Sequence, residues 1–268
     1  MCPSLPEPIT SASNINVKRV RSVAAGKEPN VMLLEGERLV RDALAAGLAC
    51  ELLLISDDRL DLAEELLEAG LAPLLMAAEL LGRIGKLKSS RGVLALAAAP
   101  ESIGIDRLGP LLAEVPSALL LVVCGVSDPV NLGALVRSAE AAGAAAMIFV
   151  EGAGVSPWNP RALRGSMGSV LRLPMFSAES AGALAAGLAS ANVRIVRGAT
   201  RDGANFRAFD WSGAVALWVG GEVGNVGEIE AGFEAVTIPM AGATESLNVT
   251  VASSILLFAA GRAEPGDE

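Results

Sequence analysis

Histidine and tyrosine are absent from the 268-residue sequence, and aromatic residues make up only 3% of it. Without histidine the chain lacks the commonest general base, the Ser-His-Asp triad and the imidazole ligands of many zinc sites. Its three scattered cysteines, Cys2, Cys50 and Cys124, form neither a metal-binding pattern nor a disulfide framework. We therefore expect no metal and a reduced, cytoplasmic protein.

Long apolar runs are also missing, although 52% of the residues are hydrophobic. A membrane span requires roughly 18–20 uninterrupted apolar residues. The longest candidates here, 118–124 and 251–260, are shorter and have the length of a core strand or helix. The N-terminus shows no charged region followed by an apolar stretch, as a secretory signal would. These features predict no membrane association and a core built mainly from aliphatic side chains.

Positive charge is in deficit, because the formal net charge is −9. A protein held to nucleic acid by overall charge is expected to be basic instead. The basic residues nevertheless cluster, and such clusters fit either a solvated surface or a local nucleic-acid contact. The clusters are Lys18, Arg19, Arg21 and Lys27; Arg83, Lys86, Lys88 and Arg91; and Arg161, Arg164 and Arg172.

Strand-like and helix-like segments alternate along the chain in two parts. Residues 31–99 begin the pattern, residues 100–117 interrupt it with three prolines, and the pattern restarts at Ala118. In the second part we expect one helix over NPRALRGSMGSVL and a last helix over SLNVTVASSILLFAAGR. Such alternation predicts an α/β fold with a parallel sheet covered on both faces, whose ligands bind at the carboxyl ends of the strands.

Three polar segments follow predicted strands. In DPVNLGALVRSA, Asn131 is expected to cap the next helix, and Arg137 requires a partner or an anion unless it extends to solvent. GGEVGNVG allows a ligand to approach the backbone closely, but it also suits an ordinary turn. IPMAGATESLNVTVA crowds polar side chains before an apolar helix, and a capping box does not explain them, because Val249 stands three residues after Ser246.

Together these segments resemble the SpoU/TrmH family of RNA ribose 2′-O-methyltransferases in the knotted SPOUT superfamily. The family's D-P-x-N-x-G-A-x-x-R-S-A motif stands here as DPVNLGALVRSA. Its I-P-M-x-G-x-x-x-S-L-N-V-S-x-A motif stands as IPMAGATESLNVTVA, with Thr250 in place of the usual serine. GGEVGNVG is a looser match to its G-x-E-x-x-G turn. Residues 31–99, with VMLLEGERLVRDALAAG and SSRGVLAL, resemble the ribosomal-protein-like substrate-binding domain of rRNA-modifying members.

The resemblance implies a parallel-sheet methyltransferase domain with a trefoil knot, preceded by a smaller α/β domain that binds RNA. The implied boundaries are a basic N-terminal extension at 1–30, the RNA-binding domain at 31–99, a linker at 100–117, the methyltransferase domain at 118–262 and a tail at 263–268.

The resemblance also implies S-adenosyl-L-methionine as the cofactor and assigns site residues. The expected cofactor-binding residues are Thr200, Gly220, Glu222, Gly224, Ile238, Met240, Ser246, Leu247 and Asn248. The expected catalytic residues are Arg137, Asn131, Ser246, Asn248 and Glu222. A role as general base conflicts with the permanent protonation of a guanidinium, so we expect Arg137 to orient the ribose 2′-oxygen and stabilise its developing charge. Ser246 and Asn248 would hold the hydroxyl or the cofactor carboxylate.

The implied partners are a second copy of the chain and structured RNA, with 23S-type rRNA as the expected substrate. Three alternatives remain open: a tRNA ribose methyltransferase, a knotted enzyme that methylates a base, and an inactive RNA-binding or ribosome-assembly protein.

Overall fold

The computed structural model describes residues 5–85, 92–220 and 232–261, and the chain forms two compact units. The first unit comprises residues 1–100 and 158–164, and the second comprises 101–157 and 165–268. Within the described residues no helix has the length and apolar character needed to cross a membrane.

The first unit contains a four-stranded mixed sheet in the order β1-β4-β2-β3. Strand β4 lies antiparallel between β1 and β2, and only β2 and β3 run parallel. The expectation of a parallel sheet is therefore wrong for this unit, because the last strand inserts between the first two. The elements are α1 (Ile15–Ala24), β1 (Val31–Glu35), α2 (Glu37–Ala45), β2 (Cys50–Ser56), α3 (Leu60–Glu68), β3 (Leu74–Met76), α4 (Ala78–Ile84) and β4 (Val93–Ala98).

Helix α1 belongs to the core of this unit. Asn14 caps it by accepting a hydrogen bond from the backbone N–H of Asn16 at 2.8 Å. Val17, Val20 and Val23 recur at helical spacing and pack into the same cluster as residues of β1, β2 and β4. The charged side chains of α1 consequently lie on its outer side.

The second unit is built on an eight-stranded sheet in the order β10-β12-β9-β11-β6-β7-β8-β5. Every neighbouring pair is parallel, which confirms the predicted parallel sheet. All positions of β6 and β11 are buried, as expected for strands covered on both faces. The strands are β5 (Ile103–Gly104), β6 (Leu119–Val123), β7 (Ala146–Val150), β8 (Met175–Ala178), β9 (Arg194–Ala199), β10 (Ala204–Asn205), β11 (Val215–Val219) and β12 (Glu234–Thr237).

Helix α9 packs against β8 and β9, whereas α10 packs against β9, β11 and α6. The single helix expected over NPRALRGSMGSVL is wrong, because Met167 and Gly168 adopt φ values of 51° and 87° and separate two short helices. The helices after residue 100 are α5 (Leu108–Glu114), which follows a 3₁₀ turn at Ile105–Arg107, α6 (Pro129–Ala141), α7 (Pro160–Ser166), α8 (Ser169–Arg172), α9 (Ala181–Ser190) and α10 (Val249–Ala260). Of these, α7 lies mostly in the residues 158–164 that belong to the first unit.

A close backbone contact joins the carboxyl ends of β6 and β11. The backbone N–H of Cys124 donates to the carbonyl oxygen of Val219 at 2.9 Å, and Gly220 follows with a φ of 109°. A β-carbon at Gly220 would overlap the carbonyl oxygen of Cys124 and lie 2.8 Å from its carbonyl carbon. Only glycine fits here, because any side chain would push the two strand ends apart.

Substituting Gly220→Ala is expected to destabilise the protein by several kcal/mol, because backbone strain of about 1–3 kcal/mol adds to a steric clash. Gly213→Ala is the matched control, since Gly213 also has a positive φ of 74° but open space where its β-carbon would lie. Thermal unfolding of both variants separates the clash from the strain. Equal losses in melting temperature would contradict a steric role for the contact.

Candidate functional site

A cavity of about 340 Å³ opens at the carboxyl ends of three parallel strands. Residues 197–200 of β9 and the turn after it form one wall, and residues 217–220 of β11 and its end form another. The segment after β12 and the first turns of α10 complete the lining. Loops at this edge of a parallel sheet are where such folds place their ligands.

The strand order explains why a cavity forms here. From β6 the sheet extends through β7 and β8 in one direction, whereas β11, β9 and β12 extend in the other. The cavity lies on the β11 side of this reversal, at the ends of β9, β11 and β12. Gly220 lets the backbones of β6 and β11 meet beside this cavity.

Six of the nine predicted cofactor-binding residues line this one cavity. They are Thr200, Gly220, Ile238, Met240, Ser246 and Leu247. Glu222 and Gly224 lie outside the described residues. Asn248 is adjacent to the cavity lining in sequence, but its side-chain oxygen caps α10 by accepting from the backbone N–H groups of Thr250 at 2.8 Å and Val251 at 3.4 Å.

Asn131 does not cap α6, so that prediction is wrong. The cap is Asp128, whose carboxylate accepts from the backbone N–H of Val130 at 2.9 Å, and Pro129 occupies the first turn of the helix. Proline suits this position because it has no N–H to satisfy and its φ is already helical. Asn131 lies inside the first turn, and its side-chain oxygen is 3.2 Å from the Thr250 hydroxyl.

The polar residues at the start of α10 therefore have separate structural tasks. Thr250 contacts Asn131, and the Ser254 hydroxyl lies 2.8 Å from that of Ser138 one turn further along. These contacts fix α10 against α6 at two levels. Ser246, which precedes the helix, lines the cavity instead.

Arg137 lies on α6 with its side chain exposed, and it does not line the cavity of its own chain. It forms no hydrogen bond or ion pair with the described residues. An exposed, always protonated guanidinium of this kind is able to accept a carboxylate or phosphate from outside the chain. A single chain thus does not bring Arg137 together with Ser246 at the cavity.

The basic clusters differ in how far they are neutralised. Arg172 donates to Glu140 through two nitrogens, at 2.6 and 2.8 Å, and these bonds hold the pKa of the Glu140 carboxyl below its ordinary value. Arg19 is ion-paired with Glu28 and Glu51. Lys18, Arg21 and Lys27 are exposed, whereas Lys86, Lys88 and Arg91 lie outside the described residues.

Arg197, Trp218 and Glu245 are among the lining residues for which the sequence predicted no role. Glu245 directly precedes Ser246 in IPMAGATESLNVTVA, so its position in the sequence could have indicated that it lies at the cavity. Arg197 stands inside the strand-like VRIVRGAT, in which Ile195 and Val196 are the buried residues of β9. Nothing in the sequence indicated a functional role for Trp218, because a tryptophan in an apolar strand usually packs in the hydrophobic core.

The SpoU rRNA Methylase family model matches residues 118–258. The chain is 29% identical over 256 residues to 23S rRNA (guanosine(2553)-2′-O)-methyltransferase RlmP of Bacillus subtilis, covering 93% of this chain and 97% of the relative. It is 32% identical over 174 residues to 23S rRNA (guanosine-2′-O-)-methyltransferase RlmB of Vibrio vulnificus, covering 64% of this chain and 70% of the relative.

Among solved structures, the AdoMet-bound rRNA methyltransferase from Sinorhizobium meliloti superposes with a TM-score of 0.81 at 26% identity. The match covers 95% of this chain and 97% of that structure. The matched family segment contains the cavity, α6 and most of α10. The chain belongs to the SpoU rRNA methylase family.

Proposed function

We propose that this chain methylates the 2′-hydroxyl of a ribose in 23S-type rRNA with S-adenosyl-L-methionine as the donor. The observation that carries the proposal is the convergence of six predicted cofactor-binding residues on one cavity. The names of the relatives from B. subtilis and V. vulnificus, and the AdoMet-bound structure from S. meliloti, support the reaction and the donor. When bound, the donor supplies an electrophilic methyl group on a sulfonium.

The cavity fits a ligand of this size and character. Its volume of about 340 Å³ falls within the range of about 300–1,000 Å³ typical of small-molecule sites. Ile238, Met240 and Leu247 provide apolar surface for an adenine ring, and Gly220 lets a ligand approach the backbone. Thr200 supplies a hydroxyl for the nucleoside's polar groups. Glu222 and Gly224 are proposed to bind the donor as well, and Asn248 to fix the end of the last loop.

Arg137 is proposed to act on the RNA ribose rather than on the cofactor. Because its guanidinium stays protonated, it orients the 2′-oxygen and stabilises the negative charge that develops there as the proton departs. Ser246 is proposed to hold the attacking hydroxyl. Asn131 is proposed to keep the start of α6 in place against α10 through its contact with Thr250. The residues that line the cavity would hold the donor so that its methyl group faces the 2′-oxygen, and the hydroxyl proton would leave to solvent water.

A homodimer is proposed to bring Arg137 to the cavity of the partner chain. Large apolar side chains are exposed on the two helices that pack together: Val130 of α6 is 46% exposed, and Val251 and Phe258 of α10 are 49% and 60% exposed. Neighbouring apolar side chains of this size are typical of surfaces that become buried on association. A two-fold contact through α6 and α10 would cover them beside Arg137.

A trefoil knot is proposed for the methyltransferase domain at 118–262. After β12, on the far side of β9 from β11, the chain turns back and α10 packs against β9, β11 and α6. Leu256 of α10 comes close to Gly198 of β9, where a β-carbon would lie 3.3 Å from the leucine. Small residues at such crossings let the chain pass close to earlier segments, as threading through a loop requires.

The N-terminal part is proposed to recognise RNA. Lys18, Arg21 and Lys27 are exposed and supply positive charge on a chain that is acidic overall. We propose that the extension at 1–30 and the domain at 31–99 act together on structured RNA through phosphates and shape. Residues 101–117 belong to the second unit, because β5 joins its sheet and Leu108 of α5 is buried in its core, so the linker expected at 100–117 is wrong.

Incubation with methyl-labelled donor is expected to label 23S rRNA and leave tRNA unlabelled. Nuclease digestion and mass analysis of the product should then place the methyl group on ribose. Label confined to tRNA would show that the substrate is tRNA and not 23S rRNA. A methyl group on a base would show that the ribose is not the position modified. Retained donor binding with no transfer to any RNA would favour the inactive RNA-binding alternative.

Introducing charge into the exposed apolar surface is expected to separate the dimer. The double substitution Val251→Asp and Phe258→Asp places two buried carboxylates in the proposed interface, where unpaired charges are strongly unfavourable. Sedimentation equilibrium should report a folded monomer. Ile15→Asp is the matched control, because Ile15 is 78% exposed on α1 and should leave the dimer intact. A double variant that remains dimeric would contradict this interface.

Mixing two inactive variants tests whether the site is shared between chains. Arg137→Ala should lower kcat by about 10²-fold or more while leaving donor affinity unchanged, and Leu247→Arg should block donor binding by filling the cavity. Co-refolded in equal amounts, they should recover about one quarter of wild-type activity, because half the dimers then hold one complete site. No recovery, with mixed dimers verified by mass spectrometry, would place Arg137 at its own chain's cavity.

A further inference from the structure

Aromatic residues are scarce in this chain, yet several of them stand together outside the core. Of its six phenylalanines and three tryptophans, Phe206, Phe209 and Trp211 fall within six consecutive residues. We call residues 206–211 the aromatic loop, which directly follows β10 at one edge of the eight-stranded sheet. All three rings are partly exposed. Aromatic surface is therefore present at one place where solvent and a ligand have access to it.

The aromatic loop lies beside the cavity, at the carboxyl edge of the sheet. Strand β10 runs parallel to β12, and the backbone N–H of Phe206 donates to the carbonyl oxygen of Thr237 at 3.2 Å. The residue after Thr237, Ile238, lines the cavity, and so does Thr200 just after β9. An RNA chain that brings a ribose to this cavity would therefore carry the neighbouring nucleotides close to the aromatic loop.

Hydrogen bonds and a ring contact hold the loop in one conformation. The Trp211 indole N–H donates to the carbonyl oxygen of Phe206 at 3.0 Å, and the Asn205 side-chain oxygen accepts from the backbone N–H of Arg207 at 3.0 Å. The rings of Phe209 and Trp211 meet edge to face, with centroids 4.7 Å apart. A surface that is ordered in advance loses little conformational entropy when a ligand binds, so this loop is suited to recognition.

Arg207 is the exposed cation of the aromatic loop. Its guanidinium lies over the Phe206 ring, with the Cζ atom 5.3 Å from the ring centroid, which is within the range of a cation–π contact. Within the part of the chain that the structure describes, this guanidinium has no hydrogen bond or ion pair. Its donors and its planar face are thus available to a ligand.

The local charge favours a base over a phosphate as that ligand. Residues 200–212 contain two arginines and two aspartates, and so they carry no net formal charge. A neutral segment does not attract the phosphate backbone by charge. A planar guanidinium supported by an aromatic ring instead provides a surface on which the base of an unpaired nucleotide stacks.

We propose that Arg207, supported by Phe206, stacks on an unpaired base of the RNA close to the ribose that is methylated. This inference rests on the proposed function, which supplies RNA as the substrate. Stacking fixes the position of a neighbouring nucleotide and thereby the approach of the target ribose to the cavity. It also selects RNA in which the bases beside the target are unpaired, because a paired base is already stacked within its own helix.

Two conservative variants test the stacking. Arg207→Lys keeps the positive charge and loses the planar guanidinium, whereas Phe206→Leu keeps an apolar side chain and loses the ring. Each is expected to weaken binding of 23S rRNA, measured by filter retention, by about 5-fold or more, the lower end of the contribution of a stacked base. Affinity for S-adenosylmethionine, measured by calorimetry, should stay at the wild-type value.

Arg107→Lys is the matched control. Arg107 is also exposed, but it lies in the 3₁₀ turn after β5, at the opposite edge of the sheet from β10, so its variant should bind RNA as the wild type does. Arg207 is exposed as well, so Arg207→Lys tests the proposal even if Phe206→Leu lowers the stability of the fold.

Ultraviolet crosslinking identifies the part of the RNA that the loop touches. Zero-length crosslinks form through the bases, so the expected product joins a peptide that contains Phe206 to an unpaired nucleotide near the methylated one. Crosslinks to other peptides alone, or to base-paired nucleotides alone, would overturn the proposal.

The results separate this inference from the proposed function. Wild-type RNA affinity in Arg207→Lys together with a loss in Arg207→Ala would show a phosphate contact and overturn the stacking. RNA affinity unchanged in both variants, with or without a change in the oligomeric state, would also overturn it while methylation stands. Wild-type protein that neither binds nor methylates any RNA would overturn the proposed function itself, and the stacking with it.

Discussion

The contact between Gly220 and the carbonyl of Cys124 is the constraint on which the second unit depends. It brings the ends of β6 and β11 together where the sheet reverses its order, and the cavity lies beside that junction. A side chain at this position would separate the two strands and remove one wall of the cavity. The architecture of the site therefore follows from a steric limit on the backbone before any polar group is considered.

Helix α10 serves the site mainly through its packing. Asn248 caps it, Thr250 and Ser254 join it to α6, and only the residues just before it and its inner face line the cavity. This arrangement explains why so apolar a segment begins with several polar side chains. Their hydrogen bonds fix a helix that has few other polar contacts, and so they hold the preceding loop in place over the strand ends.

The basic residues fall into two groups, those that are exposed and those that are paired with carboxylates. The chain is acidic overall, yet Lys18, Arg21, Lys27 and Arg137 are exposed, whereas Arg19 and Arg172 are neutralised by carboxylates. Exposed ion pairs of the second kind contribute little to stability and cannot attract phosphates. Recognition of RNA by such a chain would depend on a few exposed cations and on shape, because a net charge of −9 gives no overall attraction to the phosphate backbone.

The sequence alone determined the family, the parallel sheet of the second unit and six of the residues that line the cavity, since these reside in contiguous motifs and in strand periodicity. Tertiary structure decided what local patterns do not encode. The insertion of β4 between β1 and β2 depends on long-range pairing, and the capping of α6 by Asp128 freed Asn131 to contact Thr250, 119 residues away. Phe206 came to lie beside the cavity only through the pairing of β10 with β12, because strand pairing joins residues that are far apart in the sequence.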